Sequence, residues 1–81
     1  MTVTLEKQPK KYLQSVDDAT RRKLLKGIEN IQSMTGDIKK LKGTANQYRY
    51  KIAHYRILYE WRQSENQIII TAINTRTNIK Y

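Results

Sequence analysis

Eighty-one residues carry sixteen Lys and Arg against seven Asp and Glu, a net charge of +9, and no cysteine. That length makes a single domain over 1–81 with no second core, and the missing cysteine excludes disulfides, thiolate nucleophiles and Cys-based zinc sites. No apolar run approaches the roughly 20 residues of a spanning helix and no signal-peptide region opens the chain, so a cytoplasmic protein with no membrane role is expected, its positive excess suited to nucleic acid or another polyanion.

The first segment, TVTLEKQ, alternates Val3 and Leu5 against Thr2, Thr4 and Glu6, which predicts a half-buried strand. Pro9 suits a first helical turn, where its missing N–H costs nothing. Lys10 to Gln14 then makes a short helix with Tyr12 or Leu13 inward. Asp17 or Asp18 can cap a second, longer helix. Its Leu24, Leu25, Ile28, Ile31 and Met34 recur at helical spacing, while Arg21, Arg22, Lys23 and Lys26 cover the other side. Gly27 predicts close packing against the first helix. Gly36 supplies a helix stop. Residues 37–46, DIKKLKGTAN, read as a connector anchored by Ile38 and Leu41.

From Gln47 the pattern turns to β. QYRYKIA alternates Tyr48, Tyr50 and Ile52 against Arg49 and Lys51, and HYRILYEW continues the alternation through Tyr55, Ile57, Tyr59 and Trp61. RQSEN supplies turn residues, and QIIITAIN reads as a strand buried on both faces. The expected fold is α+β: an N-terminal strand, a two-helix hairpin, then a three-stranded antiparallel meander, with the helices on one face of a four-stranded sheet. Function then belongs on the other face.

The single histidine, His54, has no metal-ligand spacing around it and is expected in a strand-to-strand turn. No metal and no cofactor are expected. Ser15, Ser33 and Ser64 stand in no nucleophile-elbow context, and the glycines form no phosphate loop. What remains is cations interleaved with aromatics. Arg49 and Lys51 lie two apart and so project from one face of a strand. Arg56 opens the next strand. Arg76 and Tyr81 follow the last one and pair an anion clamp with a stacking platform, as single-stranded RNA sites do.

The ordered set LEKQPKKYL, GDIKKLKG, YRYKI, HYRILYE and TRTNIKY resembles the RelE/ParE superfamily of type II toxin–antitoxin toxins, over nearly the whole chain. For the RelE-like branch the resemblance implies an endonuclease that cuts mRNA on the ribosome, inhibiting translation. It also implies an acidic cognate antitoxin with which the toxin forms a hetero-oligomer. The family's basic pair falls on Arg49 and Lys51, its strand-opening arginine on Arg56, its post-strand arginine on Arg76 and its tyrosine on Tyr81. Arg49 stands where a lysine is frequent, which keeps the charge but substitutes a bidentate fork. Catalysis is assigned to Lys51, Arg56, Arg76 and Tyr81, and substrate binding to Arg49, Lys40 and Lys42. Lys51 is the candidate base, with like charges around it. Two alternatives remain open: a ParE-like inhibitor of DNA gyrase, and a catalytically degenerate basic binding module.

Overall fold

The computed structural model describes residues 1–77. Strand β1 (Thr2–Leu5) leads into helix α1 (Lys7–Ser15) and helix α2 (Asp18–Gln32). Four strands follow: β2 (Asp37–Lys40), β3 (Gln47–Ile52), β4 (Tyr55–Arg62) and β5 (Gln67–Thr75). They form one mixed sheet of five strands in the order β1-β5-β4-β3-β2. The expectation of four strands is corrected here: part of the connector, Asp37–Lys40, is itself an edge strand antiparallel to β3, so the meander has four members. The first strand pairs parallel with β5, which is why the helical hairpin lies between them in sequence.

Alternation sets the two faces. Val3 and Leu5 sit opposite Ile68 and Ile70, and Tyr50 sits opposite Ile57, which faces Ile73. These side chains meet Leu13, Leu24, Ile28 and Ile31 of the helices in the core. The last strand is buried on one face only, contrary to the reading of QIIITAIN. Thr71 is an extra residue in its pairing with β4, where Leu58 faces Ala72 but Tyr59 faces Ile70. This bulge resets the parity, so Ile68, Ile70 and Ile73 all reach the core.

The helix ends follow local chemistry. Asp17 accepts a hydrogen bond from the Thr20 N–H at 2.9 Å, satisfying an orphan donor of the first turn. Arg21 ties the hairpin: its Nε donates to the Leu13 carbonyl and its Nη2 to the Val16 carbonyl, both at 2.8 Å. Gly27 faces Tyr50, Ile57 and Ile52 of the sheet, which corrects the expectation that it packs against the first helix. Met34 lies beyond the helix, 49% exposed, and adds nothing to the core. The backbone turns at Met34 (φ 57) and Gly36 (φ 101), so the stop begins earlier than Gly36. Gly36 instead makes room for Tyr50, whose ring carbon would stand 2.6 Å from a Cβ placed there. The Tyr50 hydroxyl accepts from Asn30 Nδ2 at 2.9 Å.

No helix of the described residues is long and apolar enough to cross a membrane.

Candidate nucleic-acid interface

The helices leave one face of the sheet free, and pairing register lays its side chains out in rows. Asp37 faces Lys51, Lys51 faces Arg56, and Arg56 faces Asn74. Directly opposed residues project from the same side, roughly 5 Å apart. One line therefore crosses four strands as acid, lysine, arginine and amide. The neighbouring row runs Lys39, Arg49, Leu58 and Ala72.

Three of the expected residues, Arg49, Lys51 and Arg56, thus share one surface, as alternation implied. Lys51 is exposed, whereas Arg56 is only 9% accessible. Arg56 donates from Nη1 to the Tyr55 carbonyl at 3.0 Å. Among the described residues it has no carboxylate partner within ion-pair distance. A guanidinium removed from water and left without a counter-ion holds a standing attraction for an anion. Arg49 is different: its Nη2 lies 3.7 Å from Asp37 Oδ1. That contact joins the two rows diagonally.

Arg76 lies just past the end of β5, beside the β3–β4 turn. Its backbone N–H donates to the His54 carbonyl at 2.7 Å, which ties the chain leaving β5 to the β3–β4 turn. His54 occupies that turn, exposed beside Ala53, whose φ is +52. Tyr81 lies outside the described residues. Lys40 and Lys42 stand farther off. Lys40 faces Tyr48 in the register and so projects from the helix side of β2, whereas Lys39 points to the same side as Arg49. All three lysines, with Leu41 and Arg49, still line one basic hollow of about 340 Å³ at the end of β2. Among the described residues no three His, Asp or Glu gather as metal ligands would.

Sequence reasoning passed over Asp37, Lys39 and Asn74. Asp37 and Lys39 sat in a segment read as connector, and Asn74 in one read as the end of a doubly buried strand. The signal that finds them is register, since each is the direct partner of a residue already singled out.

On the helix side a second feature flanks the core. Tyr48 stacks on Tyr59 with ring centroids 5.5 Å apart and meets Trp61 edge-on at 5.7 Å. Burial pushes the Tyr59 hydroxyl up to about 12, with Tyr48 adding to the effect.

The family model for the ParE toxin of type II toxin–antitoxin systems, parDE, matches residues 3–79. No curated protein sequence matches the chain. Among solved structures, the archaeal RelE–RelB complex from Pyrococcus horikoshii OT3 is similar with a TM-score of 0.77 and 28% identity, over 96% of this chain and 97% of that one. The RelB–RelE antitoxin–toxin complex from Methanococcus jannaschii gives 0.73 and 29%, over 91% of each chain. A YoeB/ParE toxin from Agrobacterium tumefaciens, at 18% identity, has the same fold with a TM-score of 0.75, over 93% of this chain and 98% of that one. A family match spanning nearly every residue, on a fold shared with archaeal RelE, makes this chain a toxin of a type II toxin–antitoxin system in the RelE/ParE superfamily.

Proposed function

We propose that this toxin is a metal-independent mRNA endonuclease that acts on the translating ribosome and is restrained by an acidic antitoxin. The observation that carries the reading is Arg56, a poorly accessible cation with no acidic partner among the described residues, facing Lys51 on the open sheet surface. A phosphodiester supplies the missing counter-charge.

In the reaction the 2′-oxygen forms a bond to phosphorus while the bond from phosphorus to the 5′-oxygen breaks. The products are a 2′,3′-cyclic phosphate and a 5′-hydroxyl. Lys51, as the neutral amine, takes the proton of the 2′-hydroxyl, and Asp37 opposite faces the ammonium so formed. Arg56 holds the phosphate, and its planar fork matches two phosphoryl oxygens. Arg76 neutralises charge growing on the 5′-oxygen as that oxygen takes up a proton from solvent water, and Tyr81 stacks a base. Arg49, Lys40 and Lys42 bind the flanking backbone as electrostatic contacts. The archaeal RelE relatives were crystallised with RelB, which supports a hetero-oligomer with an antitoxin here.

The test is induced expression followed by mapping of mRNA 5′ ends. Cuts inside reading frames that vanish when translation is blocked are expected, and Lys51→Ala or Arg76→Ala should abolish them without unfolding the protein. Full cleavage by both variants overturns the assignment.

The family model favours a second reading, a ParE-like gyrase inhibitor. Inhibition of supercoiling by the purified toxin, with intact mRNA in cells, decides for it.

A further inference from the structure

The row that carries Lys51 and Arg56 ends on β5 at Asn74, directly opposite Arg56. Asn74 is half-buried, and its Oδ1 accepts the N–H of Thr75 at 2.9 Å. A backbone N–H can only donate, so this contact fixes which end of the carboxamide is oxygen. The amide nitrogen is turned the other way, and among the described residues its two N–H groups meet no acceptor. Two oriented donors thus stand across from a guanidinium that has no carboxylate partner among the described residues, a neutral donor group beside a cationic one. Such preorganised donors suit an oxyanion, because no reorientation is needed when charge arrives.

We infer that Asn74 is a further phosphate-binding residue of this face, its Nδ2 donating to the phosphoryl oxygen held by Arg56. The inference rests on reading the face as an RNA-phosphate site, and it adds a contact from β5 to those from β3 and β4. A cradle built from three strands fixes the phosphate laterally as well as by charge. Lys51 and Asn74 then stand on opposite sides of Arg56, so that attack comes from the β3 side and the leaving oxygen departs toward β5 and Arg76.

Asn74→Asp separates a structural from a binding role. The aspartate still accepts the Thr75 N–H, yet it replaces the outward amide with a carboxylate oxygen that repels phosphate. The probe is a short single-stranded RNA with a 2′-O-methyl group at each position, which keeps the phosphates but lacks the attacking hydroxyl. Titrated into the isotopically labelled wild-type chain, it should shift the Asn74 side-chain amide resonances. Asn74→Asp should retain the wild-type melting temperature and bind at least ~10-fold more weakly, with cleavage reduced on the order of 10²-fold where the wild type cleaves. An amide shift with weakened binding supports the inference even if mRNA stays intact in cells, since that outcome removes only the nuclease reading. An unmoved Asn74 amide, or an Asn74→Asp variant that binds and cleaves as the wild type does, overturns it.

Discussion

The side chain of Gln8 serves as a strand partner for Ile73. Its Nε2 donates to the Ile73 carbonyl at 2.7 Å and its Oε1 accepts the Ile73 N–H at 2.8 Å. Strand β1 covers β5 only from Gln67 to Ile70, so a carboxamide on α1 takes over where the neighbouring strand stops. Gln8→Ala leaves a half-buried donor and acceptor unpaired, at a cost of about 1–3 kcal/mol. The melting temperature should fall by roughly 4–8 °C for each kcal/mol lost, as read by calorimetry. Because Ile73 adjoins Asn74, the same variant should also broaden the Asn74 side-chain amide resonances.

Arg56 should show stability and activity pulling apart. Arg56→Met removes an uncompensated, largely buried charge while keeping the apolar stem, and should raise stability by roughly 1–2 kcal/mol in denaturant titrations. Cleavage by the same protein should be lost by on the order of 10²-fold or more. Arg56→Lys keeps the charge but not the fork, and should fall between the two. A stable Arg56→Met variant of full activity contradicts the role given to this residue.

The two left-handed glycines should respond unequally to a methyl group. At Gly43 (φ 75) nothing lies within 4 Å of an added Cβ, so Gly43→Ala should cost only the backbone term, about 1 kcal/mol. At Gly36 (φ 101) the added carbon meets the Tyr50 ring at 2.6 Å. Gly36→Ala should therefore cost roughly 2–4 kcal/mol, since the strain and the overpacking add. Chemical denaturation of the two variants side by side checks the difference.

Arg21 is one cation that stabilises rather than binds. Its guanidinium holds the carbonyls of Leu13 and Val16 and reaches Asp18 Oδ1 at 2.5 Å. Arg21→Ala should lower stability by about 1–3 kcal/mol, and leave the affinity of folded protein for single-stranded RNA unchanged in a filter-binding assay.

Acid titration should reveal the cap of α2. The hydrogen bonds from Thr20 hold the Asp17 carboxyl below its usual value. A carboxyl lowered by folding adds stability that is fully present above the ordinary carboxylate range and is lost as the pH falls through the lowered value. Asp17→Asn keeps an acceptor for Thr20 and should flatten that acid limb, as followed by the melting temperature between pH 5 and pH 2.

Much of this was legible in the chain. Tyr48, Tyr50 and Ile52 against Arg49 and Lys51 is a clean period of two, so both the core face and the cationic face of β3 could be read directly. Strand β2 could not. Ile38 and Lys40 share its helix side but only Ile38 packs on the core, and an edge strand protected by charge carries no apolar alternation to detect. With β2 unseen, Asp37 and Lys39 had no partners and no face. The last strand hid its parity for a different reason: an unbroken apolar run masks a bulge, and the extra Thr71 becomes visible only through its pairing. Asn74 was lost with it. Tyr81 had no counterpart in the described residues, so its part in the site stays a proposal carried by the resemblance alone.

Strand β3 places Tyr50, wedged under Gly27 and Gly36, between Arg49 and Lys51. The residue that locks this strand to the helices is thus bonded on either side to the two cations proposed to meet the substrate. Unfastening the site means unfastening the core, and hydrogen exchange at Arg49 and Lys51 should proceed only with global opening. A toxin built this way has no half-disarmed state to retreat into. On the proposed reading, an inhibitor is then expected to cover the open face rather than to loosen β3, because Tyr50 ties that strand to the core.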